Sequence, residues 1–227
     1  MVVLGVFFGI LAANWNLERS AKQETVRLLS QIKPELVAIV ANLESIETYY
    51  KVSDGYARQA VDGWRGDPSI SDTAFVTAAY QASQINGNGI NSLVWAQIFG
   101  ADNLRNIDDL GLRRNLLQLM AFDYNLVNIS DAKSRYREEV RKVIPDVQQQ
   151  AIRARCGDRL RSDGNLVLPV TCDLTLPAAE AARTAAALRA RTDLVGELNW
   201  HQAGIATQMQ NIKNLKGYCT QLMKRIA

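Results

Sequence analysis

The sequence predicts an all-α fold: an N-terminal transmembrane helix continuing into an elongated antiparallel helical bundle with one disulfide-closed loop. Three observations predict it. An uncharged apolar run, MVVLGVFFGILAA, opens the chain. Behind it, apolar residues recur at alternating spacings of three and four along extended segments, the signature of helices that bury one stripe. Proline is scarce, at 5 of 227 residues, and Ala, Leu, Arg, Gln and Glu fill the same segments and favour helix by intrinsic propensity. The boundaries implied are a membrane helix over 1–16 and a soluble bundle domain over 17–227. With 48% hydrophobic and 22% charged residues the bulk of the chain has the composition of a protein that folds in water. Its 26 basic and 23 acidic side chains are interleaved. No basic face accumulates, so nucleic acid is excluded as a partner.

The apolar run ends at Asn14, Trp15 and Asn16, where the Trp15 indole could anchor at the headgroup level. Some 13 apolar residues cover only ~20 Å of helix against a hydrocarbon core of ~30 Å. The run as written is therefore short for a span, and nothing basic precedes it as a signal peptide would require. A buried core helix is the competing reading. Gly5, Gly9 and Ala13 recur every four residues and leave one face without bulk, which suits close approach of a second membrane helix, although small residues also fall into apolar runs by chance.

The segment VVLGVFFGILAANWNLER resembles the start of a family of bacterial membrane-anchored proteins, the DUF6090-like proteins, whose apolar helix closes in a G-V-F-x-G…NWN-x-x-R pattern. A second patch, NLRNIDDLGLRRNLLQL, is similar to that family's stretch in which a short loop with Gly and Leu precedes a helix bearing a Leu-Arg pair. The resemblance runs from Val2 to about Arg155. It implies a membrane anchor and brings no activity with it. Members carry further apolar residues and a few basic ones ahead of this point, which places Met1 inside a longer spanning helix.

From Leu29 the apolar row continues through Ile32, Leu36, Ile39, Leu43, Ile46 and Tyr50. This is a heptad seam, expected to be buried against another helix of the chain. Pro34 lies within it without breaking its phase, so the sequence predicts a kinked first helix reaching about Asp62. Gly63, Gly66, Asp67 and Pro68 end it. Ser71 or Asp72 then caps a short helix through Gln84, and Asn86 to Gly89 form a loop. A helical stretch at Leu93 to Phe99 and a loop from Gly100 to Asp109 lead into a long helix from Leu110. Its later part carries Tyr136, Val140, Val143 and Val147, with a kink at Pro145 before Arg155. Between Cys156 and Cys172 periodicity is lost, with a turn at Ser162 to Asn165 and a β-like run from Leu166 to Val170. Thr175 and Pro177 start the next helix, and the last carries Leu198, Ile205, Met209, Ile212, Leu215, Cys219, Leu222 and Ile226.

Catalytic chemistry finds little to work with. His201 is the single histidine, and its place beside the last apolar stripe makes it an ordinary boundary residue more readily than a member of a triad. One histidine and three cysteines at these spacings make no zinc pattern, and Gly87 and Gly89 lack the lysine and hydroxyl of a phosphate loop. Asp108 and Asp109 read as a helix cap before Leu110. Arg113, Arg114, Arg135, Arg137 and Arg141 alternate with Asp131, Glu138 and Glu139 as a solvated face. Tyr49, Tyr50 and Tyr56 read as core rather than as the wall of a ligand groove. No catalytic residue, cofactor or metal is therefore expected.

Cys156 and Cys172 bracket the one segment without apolar anchors and are expected to form a disulfide, with Cys219 a buried free thiol. That bond would place the domain in the periplasm. The alternative keeps all three thiols reduced in the cytoplasm, where the positive-inside rule would hold Arg19, Lys22, Arg27 and Lys33. The expected function is a non-enzymatic interaction or structural protein of the bacterial inner membrane. It would be single-pass, an accessory subunit whose partners are the lipid bilayer and a second protein or a second copy met through the membrane helix. The alternative is a periplasmic ligand-sensing bundle acting through a partner.

Overall fold

The structure is a computed structural model that describes residues 2–89, 104–128 and 134–226, with side chains at Phe8 and from Ile10 onward. The described chain is mostly helical. Helix α1, Val2–Arg65, runs unbroken across Pro34. It stops where the sequence supplies a left-handed residue: Gly66 has φ +77°, Gly66 N–H donates to Gly63 O at 3.2 Å and Asp67 N–H to Asp62 O at 3.1 Å. Those two bonds satisfy the last carbonyls of the helix, and Pro68 prevents its resumption. Helix α2, Asp72–Gln81, begins at Ser71, whose hydroxyl accepts from Ala74 N–H at 3.2 Å. It closes three residues before Gln84. Ser83 and Gln84 bond back to Tyr80 and Gln81 in tighter turns, and the Ser83 hydroxyl also takes the Tyr80 carbonyl, a local competition that unwinds helix ends.

Helix α3, Leu110–Met120, is capped by the Asp109 carboxylate, which accepts from Gly111 and Leu112 N–H at 2.8 and 3.0 Å. A 3₁₀ turn follows at Tyr124–Leu126. Helix α4, Arg135–Val143, has Ser134 as its cap, and α5, Asp146–Cys156, starts directly after Pro145. The short strands β1, Arg159–Leu160, and β2, Leu166–Val167, pair antiparallel around a turn in which Gly164 has φ +82°. Helix α6, Ala178–Ala190, begins after Pro177. Helix α7, Asp193–Arg225, carries the final apolar stripe.

The chain divides into two compact units, Met1–Ala41 with Asn91–Tyr124 and Asn214–Ala227, and Asn42–Ile90 with Asn125–Lys213. In the first, Leu28, Ile32 and Leu36 of α1, Leu112, Leu116 and Leu119 of α3, and Leu215, Cys219 and Leu222 of α7 are buried. The second is a helical bundle in which α2 packs most extensively on α6 and also meets α4 and α5. Its core holds Leu43, Ile46, Tyr49 and Tyr50 of α1, Phe75 and Tyr80 of α2, Tyr136 and Val140 of α4, and Ala185 and Leu188 of α6. Gly63 is required there: a Cβ at that position would overlap the ring of Phe75. That ring is pinned edge-to-face on Trp64 at 5.1 Å and lies under the Arg189 guanidinium, also at 5.1 Å.

Several expectations need correction. The single long helix from Leu110 is three α-helices, with a 3₁₀ turn after the first. Asp109 and Ser134 each open one with a side-chain cap, and Ile144 adopts an extended ψ of 121°, as the residue before a proline must to clear the ring. Pro145 thus ends a helix rather than kinking one, and Val147 turns outward, 66% exposed. Along the α1 seam Leu36, Leu43 and Ile46 are buried as expected but Ile39 is half-buried, and Leu28 takes the inward place assigned to Leu29. The expected β-like run stops at Val167, because Pro169 follows two residues on and has no N–H to give. Among the described residues no helix is long and apolar enough to cross a membrane. Asn14, Asn16, Glu18 and Arg19 follow the apolar run directly, so α1 is long while its apolar part is short. The helix expected at Leu93 to Phe99 lies outside the described residues.

Candidate functional site

Cys156 at the end of α5 and Cys172 after β2 are joined, with Cα atoms 5.4 Å apart and a sequence separation of 16. The bond closes the hairpin segment, which α1 also ties down through side chains: Tyr49 donates to Asp158 Oδ2 at 3.3 Å and Tyr56 to Pro169 O at 2.9 Å. Both tyrosines are core residues, as is Tyr50, whose oxygen accepts from Asn86 N–H at 2.9 Å. For a loop of about 15 residues the chain-entropy contribution of the disulfide is about 3 kcal/mol. Replacing both cysteines by serine is expected to lower the unfolding free energy by about that amount, read from urea titration. Thiol labelling of the denatured, unreduced wild type should find one reactive group, Cys219; finding three would mean the bond does not form.

Beside this disulfide lies a cavity of about 490 Å³ walled by Tyr56, Gln59, Thr73, Thr77, Thr171 and Leu174 among others. Its lining is rich in hydroxyls and amides, and none of those six side chains is ionisable at neutral pH. The Thr77 hydroxyl is buried and finds no hydrogen-bond partner.

The remaining positions marked by the sequence are dispersed. Trp15 is exposed, with the Arg19 guanidinium 5.5 Å from its ring centre. Ala13 is exposed, while the contacts expected of Gly5 and Gly9 fall on side-chain positions outside the described residues. Asp108 pairs with Lys22 at 3.1 Å rather than capping. His201 is buried and stacks on Tyr136 at 5.9 Å. Burial, then the charge of Arg137, pushes its pKa down to about 4, so it is neutral in the folded protein at ordinary pH. Among the described residues no nucleophile or carboxylate is bonded to it, and no group of His, Cys, Asp and Glu could hold a metal ion. The comparisons with known proteins add nothing to these observations: no family model, curated protein or solved structure matches the chain.

A polar network at the end of α2 is not apparent from the sequence. Gln81, Ser83 and Gln84 are all buried. Gln81 Nε2 donates to the carbonyl of Cys156, Gln84 Nε2 donates to Gln81 Oε1 at 3.3 Å, and Gln84 Oε1 accepts from Arg137 and Arg141 of α4. In the sequence the two arginines look like part of a solvated face, because Glu138 and Glu139 stand between them. Their spacing, i and i+4, is the signal that puts both on one side of the helix, and the glutamates fall on another.

Proposed function

We propose that the protein is a membrane-attached, non-enzymatic interaction or structural component, with its disulfide-bearing bundle in the periplasm. The observation that carries the reading is the start of α1, where Phe8, Ile10, Leu11, Trp15 and Leu17 are all exposed on one continuous helix. Such a cluster costs free energy in water and is relieved in lipid or against an apolar partner helix. Two further observations support it. The Cys156–Cys172 disulfide belongs to compartments outside the reducing cytosol, and the resemblance of residues 2–19 is to membrane-anchored proteins. A test is fractionation of bacterial cells expressing the chain, followed by protease treatment of spheroplasts. Sedimentation with membranes through a high-salt wash and cleavage of the bundle from outside are expected. Release by salt, or protection from the protease while the membrane is intact, would refute the reading.

The cavity beside the disulfide favours a second reading, in which the bundle senses a small ligand. Its neutral, hydroxyl-rich lining suits an uncharged polar molecule. A saturable rise in melting temperature with such a compound, abolished by Thr171→Phe, would select this reading over the first.

A further inference from the structure

Arg137 and Arg141 occupy successive turns of α4 and reach across to the segment that follows α2. Arg137 Nη1 donates to the Ser83 carbonyl at 2.6 Å and to Gln84 Oε1 at 3.4 Å. Arg141 donates from Nε to the Ser83 hydroxyl at 3.2 Å and from Nη2 to the same Gln84 Oε1 at 3.0 Å. Two cations thus converge on one neutral oxygen. A third is close by: Arg141 lies over the ring of Tyr80 at 4.7 Å, and Arg153 Nη1 donates to the Tyr80 hydroxyl at 3.2 Å.

The nearby carboxylates that have partners bond to other groups, although the Asp158 charge also reaches Arg141. Glu139 pairs with Lys142 and Arg191, Asp146 with Arg153, and Asp158 accepts from Tyr49. Among the described residues neither Arg137 nor Arg141 forms an ion pair, and the acceptors their guanidinium groups meet are the neutral oxygens of Ser83 and Gln84. The C-terminal end of α2 offers about half an elementary negative charge, which offsets only a fraction of two guanidinium charges. Burial first, then the charge of Arg137, pushes the Arg141 pKa down, and the Tyr80 hydroxyl and the Asp158 carboxylate oppose that shift only in part. On the same segment Asn86 Nδ2 is buried with no acceptor.

We propose that the Arg137–Arg141 pair is a binding site for a small oxyanion of the phosphate, sulfate or carboxylate type. Paired guanidinium forks offer bidentate donors that match such oxygens, and a half-buried setting strengthens the attraction. The site does not depend on membrane attachment.

The test is calorimetric titration of the full chain with inorganic phosphate, sodium sulfate and sodium acetate, each against sodium chloride at matched ionic strength. A saturable heat with at least one oxyanion and none with chloride is expected, and which oxyanion binds distinguishes a phosphate-type ligand from a carboxylate. Arg141→Gln and Arg137→Gln should each weaken binding about tenfold or more, the loss of one charge-assisted contact. Arg141→Lys, which keeps the charge and loses the fork, should also bind less tightly than wild type. Exposed Arg153→Gln gives a milder, several-fold loss and serves if the other variants fail to fold. Absence of saturable binding to wild type overturns the proposal, as does equal binding by wild type and every folded variant.

Discussion

Leu43→Ala is expected to lower the unfolding free energy by about 2 to 5 kcal/mol, the range for truncating a fully buried leucine. Leu43 has no exposed surface and sits on the inward row of α1 between Leu36 and Ile46, both buried. The loss combines the transfer free energy of the removed carbons with the void they leave, and a long helix held in a packed core relaxes little around such a void. Glu44→Ala, one residue along on the exposed side, should change stability by less than about 0.5 kcal/mol. Urea denaturation of the two variants checks the pair. If they unfold alike, α1 is not held by its seam.

Acidification is expected to destabilise the fold through His201. In the folded protein its pKa is pushed down to about 4 from the ordinary 6.5, because the imidazole is buried against Tyr136 and faces the positive Arg137. Well above pH 6.5 the ring is neutral whether the chain is folded or not, and His201 contributes no pH dependence. As pH falls from 6.5 towards 4, the unfolded chain takes up a proton that the folded chain refuses. Stability therefore drops, and the full loss of about 3 kcal/mol is reached below pH 4. His201→Gln removes this titration while carboxylates such as Asp109 and Glu139 still titrate in both proteins. The difference in unfolding free energy between wild type and variant should grow in the variant's favour between pH 7 and pH 4. A difference that stays constant across that range would show that His201 does not titrate in this way.

The legible parts of the fold were those written in local chemistry. The 3-4 spacing from Ile32 to Tyr50 marks a helix because only that period keeps branched apolar side chains on one stripe. Ser71 and Asp109 mark helix starts because their short side chains reach the free N–H groups of the first turn. Gly66 marks an end because the left-handed φ it adopts costs other residues more. Cys156 and Cys172 were legible as a pair because the segment between them offers little else to hold it. What failed needed knowledge of neighbours. Tyr136, Val140, Val143 and Val147 continue one helical phase, yet Ile144 turns out of it because the Pro145 ring forbids the α conformation to its predecessor. The polar network was hidden for a related reason. Gln81, Ser83 and Gln84 look like surface residues in sequence, and only the arrival of α4, some fifty residues later, supplies the guanidinium groups that accompany them inward. The hydroxyl-lined cavity likewise joins α1, α2 and the segment after β2, which share no sequence pattern.

Cys219 gives the molecule an internal clock. The thiol is fully buried on α7, and burial pushes its pKa up to about 12, so the reactive thiolate is all but absent while the helix stays packed. An alkylating reagent can capture it only during the moments when that part of the chain opens. At low reagent concentration the capture rate is the product of the opening equilibrium and the chemistry of a free thiol. At high concentration it saturates at the opening rate itself. Because Cys156 and Cys172 are tied to each other, the signal comes from one position without engineering. The time course of its loss reports the breathing of the C-terminal helix around Cys219, in the native chain and under native conditions.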